Sequence, residues 1–162
     1  MEIKKQLIEI NGSIHISCKL SEVFDFISNY SNDKHWRIIV KETIMNTAQV
    51  EKNTVMKETI FLSRKYPSFT SSFICTEFEK DKKVSTETLP EEQFYSKNTR
   101  EVAAIDDRTT CINYQYVFDV EMVKYALGIG LPKFLIRMSV QREMKTYLKA
   151  LKKVMEQSHI ES

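Results

Sequence analysis

The chain has little of what usually announces a function. Its 162 residues include three glycines, three prolines, three cysteines and one tryptophan. So little glycine and proline leaves no linker, repeat or low-complexity tract, and one domain over 1–162 is expected at a length within the ~100–200 residues typical of a single core. Cys18, Cys75 and Cys111 lack paired spacing, which argues against a disulfide framework or a zinc site. They read as small buried hydrophobes in a reducing compartment. His15, His35 and His159 are equally scattered, so neither a metal nor another cofactor is expected. Lys and Arg number 24 against 22 Asp and Glu, and a net charge of +2 supplies no field that would argue for nucleic acid. Long apolar runs are also missing. Residues 125–135 are interrupted by Gly128, Gly130, Pro132 and Lys133 and fall short of the ~20 residues needed to span a bilayer. The opening "MEIKKQLIEI" interleaves charge with its apolar residues, unlike a signal peptide, so a cytoplasmic protein is expected.

What is present is a sequence of changing periods. Ile8, Ile10, Ile14 and Ile16 share parity, the mark of a half-buried strand within 1–17. "LSEVFDFISNYSNDKHW" then offers Ser21 as an N-cap and Val23, Phe24, Phe26 and Ile27 as an apolar face, predicting two short helices over 21–36 with Trp36 closing the second. Polar turns "EKN", "RKYPS", "EKDKK", "LPEEQ" and "DDR" divide 38–120 into a six-strand antiparallel meander. Its clearest strand, "CINYQYVFDV", places Ile112, Tyr114, Tyr116, Phe118 and Val120 on one face. Asp106 and Asp107 favour a turn rather than acid/base work.

A long helix is predicted over 132–157, with Pro132 suited to its first turn. Val140, Met144, Tyr147, Leu148, Leu151, Val154 and Met155 fall on one arc, and Arg142, Lys145, Lys149, Lys152 and Lys153 on the opposite, solvated one. Toward Pro132 the pattern swings: Leu131, Phe134, Leu135 and Met138 approach the lysine azimuth, while Lys133 and Arg137 share that of the core. Either the helix is kinked or starts late, or it runs straight and aims Arg137 at a cavity. Gly128 and Gly130 lack the third glycine and βαβ context of a dinucleotide loop and read as a turn into the helix.

The stretches "INGSIHISCKLSEVFDFISNYSNDKHW" and "MKTYLKALKKVME" resemble the opening and closing segments of the START-like (SRPBCC) superfamily, in particular its polyketide cyclase/dehydrase-like branch. One departure is "VEKNTV", where Asn53 stands in a turn that usually holds glycine and can adopt its left-handed conformation. The resemblance implies an α+β helix-grip fold, a seven-stranded curved antiparallel sheet wrapped around a long C-terminal helix, with two short helices between strands 1 and 2. It also implies an apolar cavity between sheet and helix. Members bind lipids, sterols, polyketides or quinones, and only some are enzymes.

The leading expectation is binding or transport of a small, largely hydrophobic ligand. Trp36, Tyr114, Tyr116, Phe118, Phe134, Arg137 and Met138 are the candidate ligand-binding residues. Tyr114 and Tyr116 would bond a polar end, and Arg137 would pair with an anionic head. A cyclase/dehydratase-type enzyme is the alternative, with a tyrosine or Arg137 polarising a carbonyl; no catalytic residue is assigned. Arg100 and Glu101 must face opposite ways on their strand, so Glu101 inside would favour the enzyme and Glu101 in solvent would disfavour it. A third reading is protein interaction, with Leu131, Phe134, Leu135 and Met138 as a candidate homodimer contact.

Overall fold

The computed structural model describes residues 5–160; the side chains of His159 and Ile160 lie outside it. Strand β1 (Leu7–Ile16) is followed by helix α1 (Leu20–Ser28) and a single 3-10 helix (Tyr30–His35). Strands β2 (Val40–Met45), β3 (Val55–Ile60), β4 (Phe69–Glu79), β5 (Lys83–Thr88), β6 (Ser96–Asp106) and β7 (Thr109–Asp119) come next, then helices α2 (Val120–Leu127) and α3 (Lys133–Ile160). All neighbouring strands are antiparallel, in a seven-stranded sheet of order β1-β7-β6-β5-β4-β3-β2. Register breaks at Val40/Glu42, Cys75/Glu77 and Ala104/Asp106 bend the ladder, as bulges do by adding local twist. The result is the curled seven-stranded sheet that the START-like resemblance implies. No helix among the described residues is long and apolar enough to cross a membrane.

Parity decides which side of β1 is inside. Ile8, Ile10 and Ile16 are buried while Glu9, Asn11 and His15 are exposed. Between them Gly12 lets α3 approach: a Cβ there would lie 2.8 Å from Met144 Sδ and 3.0 Å from Leu148 Cδ1. The C-terminal half of α3 buries Leu148, Leu151 and Met155 in one core cluster with Val23, Phe24 and Ile27 of α1 and Val102 and Ile112 of the sheet. The helix also grips the free edge of β1. Arg137 Nη1 donates to the Glu9 carbonyl at 2.7 Å, Gln141 Nε2 to that of Asn11 at 2.9 Å and Lys152 Nζ to that of His15 at 2.7 Å.

Three local expectations change. Ser21 is not the cap of α1, which starts one residue earlier from Lys19 without a side-chain cap bond. Val120 leaves the strand, because the Asp119 carboxylate accepts from Glu121 N and starts α2 there. Gly128 ends α2 rather than leading into α3: at φ 76° its N–H returns to the Lys124 carbonyl, the left-handed stop that glycine adopts without steric cost. Asn53 sits at the same φ of 76° in the β2–β3 turn, so the missing glycine is replaced without loss of the turn.

Candidate functional site

The middle turns of α3 face the concave side of the sheet. Their inward residues Ser139, Val140, Glu143, Met144 and Tyr147 form one wall of a cavity of about 270 Å³. Facing them are Tyr114, Tyr116 and Phe118 of β7, Phe69, Ser71 and Phe73 of β4, and Glu58 and Ile60 of β3. Each triplet is a set of alternate strand residues, so each lies on the concave face. Phe61 and Leu127 line the cavity and are 42% and 53% exposed, which marks the mouth between α2 and the β3–β4 loop. Near this mouth Tyr66 of the loop stacks on Tyr125 of α2 with centroids 4.1 Å apart, and Phe94 packs on Tyr125 at 5.2 Å.

The floor is charged and fully organised. Asn29 accepts from Ser31 N at 3.2 Å and Asn32 Nδ2 donates to the Phe26 carbonyl at 3.1 Å, which holds the 3-10 helix against α1. This geometry drives Asp33 to 0% exposure beside Arg100 of β6, itself 1% exposed. Arg100 donates to both Asp33 oxygens at 2.9 and 2.5 Å, to the Ile27 carbonyl at 2.6 Å and to Asn98 Oδ1 at 3.0 Å. Tyr30, Trp36 and Tyr114 surround its guanidinium with ring centroids at 4.2, 4.9 and 5.6 Å. Arg37 lies nearer the cavity and donates to Asp33 at 2.9 Å and to Glu58 at 2.8 and 3.4 Å. Burial acts against both guanidinium charges, but Asp33 on Arg100, and Glu58 with Asp33 on Arg37, hold the pKa values above the ordinary arginine range.

The walls carry neutral donors. Asn98 Nδ2 donates to the Tyr114 hydroxyl, and the Tyr147 hydroxyl donates to Glu143 Oε1. Burial pushes the Tyr116 and Tyr147 phenols well above the ordinary tyrosine value, so both keep their protons at neutral pH. Tyr116 donates to no described residue, and Arg37 Nε is buried without a hydrogen-bond partner. Of the two, the Tyr116 hydroxyl, on a half-buried lining residue, is the donor available to a polar group entering the cavity.

The sequence-derived candidates divide by place. Tyr114, Tyr116 and Phe118 line the cavity; Trp36 lies behind Tyr114, edge-on at 5.9 Å, and is 2% exposed. Phe134 and Met138 are 63% and 57% exposed and do not line it. Nor does Arg137: its azimuth is toward the sheet, yet the residue it meets there is Glu9 on the edge strand. The inward arc runs instead from Ile136, 2% exposed, through Val140, Met144 and Tyr147, so the helix is continuous and Phe134, Leu135 and Met138 occupy its outer side. Leu131 packs half-buried against the core. On β6 the inward member of the adjacent pair is Arg100, while Glu101 is exposed and 3.6 Å from Lys83.

Arg37, Glu58 and Glu143 were not among those candidates. Glu58 had a signal, standing between Met56 and Ile60 on one strand face, and so did Glu143, four residues before Tyr147 at the edge of the apolar arc. Arg37 had none beyond its place after Trp36. Among the described residues no group of three or more His, Cys, Asp and Glu side chains could hold a metal ion. Burial pushes the Cys75 thiol up to about 11, which makes it a poor nucleophile.

No family profile matches the sequence, and no curated protein matches it. Solved structures do match the fold. A START superfamily protein from Mycobacterium smegmatis superposes with TM-score 0.74 at 9% identity over 92% of this chain and 97% of its own. The Zhui aromatase/cyclase from a Streptomyces species gives TM-score 0.72 at 9% identity, covering 93% and 94%. A protein of unknown function from Staphylococcus aureus gives 0.73 at 14%, covering 98% and 99%. The chain therefore has the START-like helix-grip fold, seven antiparallel strands curled around the C-terminal helix.

Proposed function

We propose that this protein binds a small, largely hydrophobic ligand of lipid, polyketide or quinone type in the cavity between sheet and α3. The observation that carries the proposal is an aromatic-walled cavity of about 270 Å³ with the unused hydroxyl of Tyr116 in its lining. Apolar walls with a few fixed polar groups are the usual make-up of small-molecule sites, and the volume lies just below their ~300–1,000 Å³ range. Burial of apolar area, at about 25 cal/mol per Å², supplies the affinity. Titration with the neutral fluorescent reporter N-phenylnaphthylamine tests this, together with native mass spectrometry of freshly purified protein. Saturable reporter binding that Phe73→Trp weakens supports the proposal. An empty protein that binds no reporter refutes it.

The second reading, a cyclase/dehydratase-type enzyme, draws on the fold shared with an aromatase/cyclase and on a guanidinium beside phenols, which could polarise a carbonyl. Against it, Glu101 stands in solvent and two of the inward carboxylates, Asp33 and Glu58, are tied to arginines, which leaves Glu143, bonded to Tyr147, as the inward carboxylate without a cation among the described residues. A cytoplasmic location is proposed from the free thiols of Cys18, Cys75 and Cys111. Self-contact through Phe134, Leu135 and Met138 is proposed from their exposure on one turn of α3.

A further inference from the structure

We infer, on the premise that the cavity is the binding site proposed above, that it rejects carboxylates and takes a ligand whose polar end carries no negative charge, such as a phenol or alcohol. The basis is the charge balance of the wall. Arg37 is the single basic residue among the described lining residues. Its guanidinium is held by Glu58 and Asp33, and Asp33 is shared with Arg100. Two guanidiniums thus face two carboxylates and cancel. Glu143, on the α3 wall, is then left as a carboxylate with no cation beside it among the described residues, its contact being the Tyr147 hydroxyl. The cavity as a whole is therefore negative.

A carboxylate entering this space would be desolvated without a counter-charge and would stand against Glu58 and Glu143, which is the costly way to bury an ion. Arg137, the residue whose azimuth suggests an anion partner, cannot rescue it because its guanidinium is spent on the Glu9 carbonyl outside the cavity. A hydroxyl group meets the opposite situation. Its oxygen can accept from the unused Tyr116 phenol, and its proton can be donated to the Glu143 oxygen that Tyr147 leaves free. Such a ligand satisfies donors and acceptors that otherwise stay unpaired and adds no charge.

The test is displacement of N-phenylnaphthylamine by three ligands of one skeleton: naphthol, naphthoate and naphthylmethylammonium. Naphthol is expected to compete at least about tenfold better than naphthoate near neutral pH, the scale of burying one unpaired charge. Glu143→Gln should narrow that ratio by improving naphthoate relative to naphthol, each measured against the variant's own reporter affinity, as removal of one like-charge contact predicts. Naphthoate competing as well as naphthol would overturn the inference while leaving the cavity as a binding site, and so would failure of all three to displace a bound reporter. The ammonium, which Glu143 could pair with, is expected to compete better than naphthoate, and its failing to do so would overturn the inference too. Failure of the reporter itself to bind would instead remove the binding-site reading, and the inference with it. The ratio measured in the unaltered protein decides the question even if the variant misfolds, which circular dichroism would reveal.

Discussion

Asp33 is the residue on which two arginines depend. It is wholly buried, contacts Arg100 and Arg37, and is presented by a six-residue 3-10 helix whose cap is Asn29. Asp33→Asn keeps the shape but leaves two guanidiniums with one carboxylate between them, so a loss of about 3–5 kcal/mol is expected in urea unfolding. Replacing Glu101, exposed on the other face of β6, should move stability by no more than about 0.5 kcal/mol. The buried tyrosines make a separate prediction. Burial raises the Tyr30, Tyr116 and Tyr147 phenols above the ordinary value of 10.0. The unfolded chain therefore releases these protons first as pH rises, so their contribution to stability is whole below pH 10.0 and is lost progressively above it. Urea midpoints should fall on going from about pH 8 to about pH 11, with tyrosinate absorbance at the unfolding transition exceeding that of the native protein. Equal midpoints across that span would contradict the burial of these phenols.

At the scale of elements, the contact between β1 and α3 is set by a residue with no side chain. A valine at Gly12 would drive its branches into Met144 and Leu148, so Gly12→Val should cost about 1–3 kcal/mol and lower Tm, whereas Met→Leu at 144 would relieve little because Leu148 remains. Thermal unfolding by circular dichroism checks this. The same elements explain what could be read from the sequence. β1 and β7 have one apolar face and alternate plainly, Ile8 and Ile10 opposite Phe118 and Tyr116. β5 and β6 do not, because between Val84 and Val102 their inward row is Thr86, Thr88, Ser96, Asn98 and Arg100. An interior built from hydroxyls, an amide and a guanidinium carries no hydrophobic period, so its parity was hidden. α2 was hidden differently: its start depends on the Asp119 cap, and eight residues are too few for a helical period to stand out after a strand.

For the whole molecule, the position of the cavity was legible and its chemistry was not. The aromatic face of β7 indicated one wall. The wheel of α3 gave an apolar arc from Val140 onward but did not follow it back to Ile136, and so assigned inwardness to Arg137, whose guanidinium leaves the interior for the β1 edge. Residues whose roles depend on contacts across long sequence separations, such as Arg37 with Glu58 and Arg100 with Asp33, had no local pattern to reveal them. Ligand exchange provides a test at this scale. Tyr125 joins α2 to the β3–β4 loop through its stack on Tyr66 and its contacts with Phe69 and Phe94. Aromatic pairs are worth about 0.5–1.5 kcal/mol, so Tyr125→Ala should speed reporter release by up to about tenfold in stopped-flow measurements. Unchanged release would mean that the ligand passes elsewhere.

The side chains that α3 lays along β1 have a consequence for crowded conditions. Arg137, Gln141 and Lys152 take the carbonyls of Glu9, Asn11 and His15, so part of the template that an edge strand offers to a neighbouring chain is already taken. The other edge is β2, six residues long with a bulge after Val40. Edge-to-edge pairing between copies is therefore obstructed at β1, and among the described strands β2 is the edge left open to it.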